Sequence, residues 1–236
     1  MQEAAKPGPM TDMNESPINP LPTIVILLAL AIIIPEIAFQ AAEAGLIGGD
    51  AGSGLRFEMM ERFGFFSLVV DQMSQLGIWP LEQVARFATY SFLHLSFLDA
   101  VIALMFVLAM GKWVGERFAW YAVAIVFFGS AFLAALGSWL LIPGPFHLVG
   151  SYPAVYGLIG AYTFLYWLNQ VATDGPRMQA FGLIVFLMGI HLLFGLFSGS
   201  AIGWLPRLFG FFAGFGISFF VVPGGFQRLV FWLRNR

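Results

Sequence analysis

Six apolar runs of bilayer length constrain the fold of this chain more than any other feature. They lie at about 22–40, 92–114, 118–142, 153–171, 178–198 and 204–223. A helix rising about 1.5 Å per residue needs roughly 20 apolar residues to cross a hydrocarbon core. Only 10% of the 236 residues are charged and 59% are hydrophobic, whereas about a quarter of a soluble domain is charged. The expected fold is therefore an all-α membrane protein with six transmembrane helices.

The segments outside these runs define the remaining organisation. Residues 1–20 contain four prolines and mixed charges, which predicts a disordered cytoplasmic tail before a transmembrane domain over 21–223. Residues 224–236 mix aromatic and arginine side chains, which indicates an interfacial tail. The long loop at 41–91 carries six of the 13 acidic residues, and its segment 55–70 has helical spacing of apolar and charged faces. We expect that segment to form a short helix in the plane of the interface.

The distribution of basic residues predicts the orientation. Six spans place both termini on one side, together with most of the basic residues: Lys6, Lys112, Arg117, Arg177, Arg228, Arg234 and Arg236. The opposite side receives only Arg56, Arg62, Arg86 and Arg207. The positive-inside rule then favours cytoplasmic termini, and a bacterial inner membrane is the expected location.

Composition also excludes several kinds of function. The chain has no cysteine, which rules out disulfides and thiolate chemistry, and no cluster of metal ligands is evident. Its net charge of −2 gives no attraction to nucleic acid. We therefore expect no cofactor, no metal and no nucleic-acid partner.

Three sequence blocks carry a family resemblance. The segments 86–116, "GSYPAVYGLIGAY" at 150–162 and "PRLFGFFAGFG" at 206–216 resemble, in order and spacing, the second-, fourth- and sixth-helix blocks of rhomboid proteins. The resemblance covers about 22–223 and implies a six-helix bundle with a long loop after the first helix. Active rhomboids are intramembrane serine proteases that use a Ser–His dyad.

The resemblance places unexpected residues at the family's chemical positions. The nucleophile and the glycine after it correspond to Tyr152 and Pro153, the dyad histidine to Arg207, and two oxyanion-binding positions to Asp99 and Ala103. A phenol needs a base for activation, and a guanidinium does not deprotonate in proteins. An anionic Asp99 would repel a developing oxyanion, and Ala103 offers no donor. These changes predict a catalytically inactive member.

Other family positions are retained and are expected to be structural. His94 is expected to bond loop backbone, and four glycines are expected to let the fourth and sixth helices approach closely. The retained set is Arg86, Thr89, His94, Glu116, Gly157, Gly160, Gly210 and Gly214.

The charges at the former site suggest a specific arrangement. We expect Asp99, Arg207 and Tyr152 to fill the cavity as an ion pair with a phenolic hydrogen bond, because single buried charges usually find partners. The alternative is that Arg207 snorkels to the interface while Asp99 is hydrated.

The function implied by the resemblance to inactive relatives is binding of transmembrane segments of partner proteins, or an accessory role in a membrane complex. The alternative is an active serine endopeptidase with displaced chemistry through Ser151, which would require His94, His147 or His191 as its base. A lone His191 in a span is expected to bond a backbone carbonyl. A transporter ranks last, because only Glu36, Asp99 and His191 are polar candidates in the spans.

Overall fold

The computed structural model describes residues 20–198 and 203–222. In these residues the chain forms helices α1 (Thr23–Glu43), α2 (Leu55–Phe63), α3 (Ser67–Leu76), α4 (Leu81–Thr89), α5 (Phe97–Gly115), α6 (Trp120–Leu141), α7 (Tyr152–Ala172), α8 (Gly182–Ser198) and α9 (Leu205–Val221). Short 3₁₀ helices lie at Gly49–Gly54, Tyr90–Phe92 and Arg177–Phe181. The predicted disordered tail and the C-terminal interfacial tail lie outside the described residues.

Three of the described helices, α1, α5 and α6, are long and apolar enough to cross a membrane. α7 has 21 residues but is less apolar, and α8 and α9 have 17 residues each. The helical character expected from the sequence is therefore confirmed, while the count of six spans stays a prediction.

A small β-pair is the exception to the all-α expectation. Strands β1 (Phe65–Phe66) and β2 (His147–Leu148) pair antiparallel, with Phe65 opposite Leu148. The single interfacial helix predicted over 55–70 is therefore wrong: α2 ends before Gly64, which is extended, and α3 begins at Ser67. The reason is non-local, because the Phe146 carbonyl accepts the Ser67 N–H at 3.0 Å and the Ser67 hydroxyl accepts the Phe146 N–H at 3.0 Å.

The centre of the bundle is the contact between α7 and α9, with α6 packed against both. A Cβ added at Gly210 would overlap the backbone of Pro153, and one added at Gly214 would overlap the backbone of Gly157. A Cβ at Gly160 would likewise meet the Phe211 backbone. Only glycine permits this separation between the two helices, which fixes the start of α7 against the start of α9.

Candidate functional site

The start of α7 holds Tyr152, the residue that the resemblance places at the family's nucleophile position. Gly150 has a φ of +106°, a region open to glycine, and donates its N–H to the Tyr90 carbonyl at 3.0 Å. The chain then enters α7 at Tyr152, with Pro153 in the first turn, where a missing N–H costs little. The half-buried Tyr152 hydroxyl donates to Asp99 Oδ1 at 2.9 Å.

Asp99 occupies the first turn of α5 and has a second structural role. The Ser96 hydroxyl accepts the Asp99 N–H at 3.2 Å, and Asp99 Oδ2 accepts the Leu95 N–H at 3.2 Å. Ser96 therefore caps the helix, the Asp99 carboxylate reaches back to the residue before the cap in a variant of the capping box, and this carboxylate also faces the positive end of the helix dipole. Because the cap starts α5 at Phe97, the predicted start near residue 92 is wrong.

Arg207 lies beside Tyr152 without a direct carboxylate partner. Its guanidinium carbon lies 5.0 Å from the centre of the Tyr152 ring, and Nη1 donates to the Gly203 carbonyl. Among the described residues, the salt bridges within 4.0 Å all involve Arg56, so the expected direct pair between Asp99 and Arg207 is not formed. The helix cap and the phenol already satisfy Asp99, and Tyr152 contacts both charged groups.

Ala103 follows Asp99 by one turn on α5 and is fully buried. Its methyl group offers no hydrogen-bond donor at the position that the resemblance assigns to oxyanion binding. Together these side chains leave the Tyr152 phenol bonded to an acceptor and stacked against a cation. Of these two neighbours, a guanidinium cannot accept a proton, and a carboxylate is a much weaker base than a phenolate.

A buried Ser–His contact lies directly behind this position. Ser151 Oγ lies 3.3 Å from His94 Nε2, and the Ser151 N–H also donates to His94 Nε2 at 3.3 Å. Both residues are enclosed, with 0% of Ser151 and 1% of His94 exposed. Burial lowers the pKa of His94, against smaller opposing effects of Asp99 and Glu36. The sequence offered His94, His147 and His191 as candidate bases for Ser151, and the structure places His94 beside it.

The other histidines lie apart from this contact. His191 Nδ1 is 2.9 Å from the Leu187 carbonyl oxygen and 3.1 Å from the Tyr156 hydroxyl, which links α8 to α7. The carbonyl contact is the one expected for an isolated membrane histidine. His147 is exposed in β2 and stacks on Phe66 with ring centres 6.0 Å apart.

Two retained family residues connect α4 to the end of α2. Arg86 Nη1 donates to the carbonyls of Glu61 at 2.8 Å and Gly64 at 3.0 Å, and the Thr89 hydroxyl donates to the Phe63 carbonyl at 2.8 Å. These donors satisfy carbonyls that the end of a helix leaves without partners.

Glu116 lies at the other end of the retained block. It is the C-terminal cap residue of α5, and its N–H donates to the Lys112 carbonyl at 3.0 Å. The structural role expected for its side chain stays a prediction.

Sequence reasoning missed the main charged contact of the loop. Arg56 Nη1 and Nη2 donate to Glu36 Oε2 at 2.9 Å and Oε1 at 2.8 Å, and its Nε donates to Glu43 at 2.7 Å. Nη1 also donates to the His94 carbonyl at 2.8 Å. The hydrogen bonds with Glu36 raise the pKa of Arg56, although burial opposes the rise. A single glutamate in an apolar run, such as Glu36, indicates that the carboxylate has a polar or charged partner. It does not indicate which arginine is that partner.

Within the described residues, no three His, Cys, Asp or Glu side chains are grouped to hold a metal ion. The long apolar helices and the enclosed polar cluster at the start of α7 define a helical integral membrane protein. The family model of the Rhomboid domain matches residues 81–224, which is more than half of the chain. The chain therefore belongs to the rhomboid family. None of the curated proteins compared with it matches.

Proposed function

We propose that this chain is a catalytically inactive rhomboid protein that binds transmembrane segments of other membrane proteins, or serves as an accessory subunit of a membrane complex. The observation that carries the proposal is the bonding of Tyr152. At the family's nucleophile position a phenol donates to Asp99 and stacks against Arg207. An acyl-transfer site needs an activated nucleophile here, but a carboxylate is a much weaker base than a phenolate, and the same carboxylate would repel a developing oxyanion.

The binding role is supported by the apolar surface of the bundle. Large hydrophobic side chains are exposed on the candidate span α1 and on α8. On α8 they include Val185, Phe186 and Leu193. Association of helices within a bilayer depends on packing and on interhelical hydrogen bonds, both available to a partner helix. Purification in a mild detergent tests this role. A partner at fixed stoichiometry supports it, and a clean monomer that degrades a model substrate overturns it.

A serine endopeptidase is the second candidate, because Ser151 Oγ lies 3.3 Å from His94 Nε2. Two features oppose it: Ser151 is fully enclosed, and His94 Nε2 already accepts the Ser151 backbone N–H. A fluorophosphonate probe separates the two candidates. We expect equal, background labelling of the wild-type protein and Ser151→Ala, together with no cleavage of a single-span substrate. Labelling lost in Ser151→Ala would establish the protease.

The proposed topology has six spans with both termini in the cytoplasm, in a bacterial inner membrane. Because the chain has no cysteine, single introduced cysteines report on individual positions. In intact cells a membrane-impermeant maleimide should label Ser74→Cys, in the exposed part of α3, and should not label Thr173→Cys, after α7. The reverse pattern, or labelling of both, would refute this topology.

A further inference from the structure

The groove between α1 and α5 is a second candidate binding site, separate from the cluster at Tyr152. The two helices pack closely at one end, where a Cβ on Gly111 would contact Val25 and one on Gly115 would contact Pro22. They separate toward the other end and leave a groove of about 440 Å³. Its lining is almost entirely apolar, with Ile33, Ile37, Val101 and Leu104 in its walls and Glu36 and Gln40 at its polar end.

The polar end of this groove carries a net negative charge. The Glu36 carboxylate is neutralised by Arg56, and Gln40 Nε2 donates to Glu36 at 3.1 Å and to Glu43 at 3.2 Å. Two carboxylates share one guanidinium, so one formal negative charge is left over. The Glu43 side chain is 43% exposed, against 11% for Arg56, and it is joined to the groove through Gln40, which lines it.

We propose that this groove binds the acyl chain of a membrane lipid whose headgroup carries an ammonium, with that ammonium at Glu43. α1 and α5 are both long and apolar enough to span the bilayer, so the groove faces acyl chains along its length. Lipid tails are as apolar as the leucine and isoleucine side chains that line it.

The headgroup preference follows from the charge at Glu43. An ammonium adds a favourable ion pair there, whereas a headgroup with only a phosphate brings a like charge toward the carboxylate. An exposed pair of this kind contributes up to about 1 kcal/mol, which corresponds to a preference of roughly two- to fivefold. The proposal does not depend on whether the protein is catalytically inactive.

Native mass spectrometry of the full chain in mild detergent tests the proposal. Phosphatidylethanolamine and phosphatidylglycerol with identical acyl chains are added in equal amounts, and their adducts are compared. We expect the ethanolamine lipid to be favoured roughly two- to fivefold. Equal adducts, or a preference for the glycerol lipid, would overturn the proposal.

Three variants locate the site. Glu43→Gln should abolish the preference, whereas Glu58→Gln, an equal charge change at an exposed position of α2, should retain it. Val101→Trp, which fills the groove, should remove one bound lipid of either headgroup. If Glu43→Gln keeps the preference, or Val101→Trp binds lipid as the wild type does, the proposal is wrong. A co-purifying polypeptide lost in Val101→Trp with lipid adducts unchanged would overturn it in favour of a protein occupant.

Discussion

The contact between Arg56 and Glu36 gives the sharpest stability prediction. Both side chains are nearly enclosed, with 11% of Arg56 and 8% of Glu36 exposed, and the pair is bidentate. Arg56→Met removes the guanidinium and leaves the Glu36 carboxylate buried without its charge partner. It also takes the donor away from the His94 carbonyl. Breaking a buried pair from one side costs about 3–5 kcal/mol.

The loss of stability in Arg56→Met is measured by thermal unfolding in detergent, with far-ultraviolet circular dichroism as the signal. For a chain of this length, such a loss lowers Tm by roughly 6–20 °C. Arg62→Met is the matched control, because Arg62 lies on the same helix, is exposed, and contacts the Phe63 ring at 5.4 Å. Its effect should stay within about 0.5 kcal/mol.

A double-mutant cycle isolates the pair itself. Replacing both residues by methionine removes the uncompensated charge, so the double variant should be more stable than Arg56→Met alone. We expect a coupling energy of about 2 kcal/mol between positions 36 and 56. Two results would contradict this reasoning. One is that Arg56→Met lowers the free energy of unfolding no more than Arg62→Met does. The other is that the effects of the Arg56 and Glu36 substitutions on this free energy simply add.

Three further predictions concern the helix contacts and the buried histidine, all read by the same unfolding assay. Gly210→Ala should destabilise the protein because its methyl overlaps the Pro153 backbone, whereas Gly216→Ala, with open space around it, should be neutral or stabilising by up to about 1 kcal/mol; equal effects would contradict the close packing. Ser96→Ala should cost about 1 kcal/mol through loss of the α5 cap, and Ser96→Thr should restore most of it. Because burial lowers the pKa of His94, the unfolded state binds more protons, so stability should fall as the pH drops below about 6.5; His94→Gln should weaken this dependence, and an unchanged profile would exclude His94 as its source.

The long helices were predictable from sequence because hydrophobic run length is a local property. Six apolar runs were expected, and each overlaps a helix of the structure, with ends that differ by at most five residues. The largest error, at the start of α5, had a readable local signal. Ser96 and Asp99 stand three residues apart before an apolar run, which is the spacing of a capping box. That spacing predicts the observed start of α5 at Phe97. It also gives the Asp99 carboxylate hydrogen-bonding partners at the helix start, so Asp99 does not require an ion pair with Arg207.

The remaining errors come from contacts between distant residues. The β-pair that divides the predicted interfacial helix joins residues about eighty positions apart, and Ser151 and His94 are separated by 57. Glu36 finds Arg56 at a separation of 20, across the loop that follows α1. Hydrophobic periodicity and residue propensity do not predict which distant residues pair, because the pairing depends on how whole helices pack against one another.

The residues expected at the family's catalytic positions contact one another. A substitution of Tyr152 therefore also changes the surroundings of Asp99 and Arg207. Tyr152 donates to the same Asp99 carboxylate that caps α5, and its ring faces the Arg207 guanidinium. Tyr152→Ser would shorten the side chain, leave one oxygen of Asp99 without its phenol donor, and leave Arg207 without the ring. The new hydroxyl would then lie between a cation and a carboxylate. Because a guanidinium cannot act as a base and the Asp99 carboxylate would repel an oxyanion, we expect this change to lower stability without creating labelling by a fluorophosphonate.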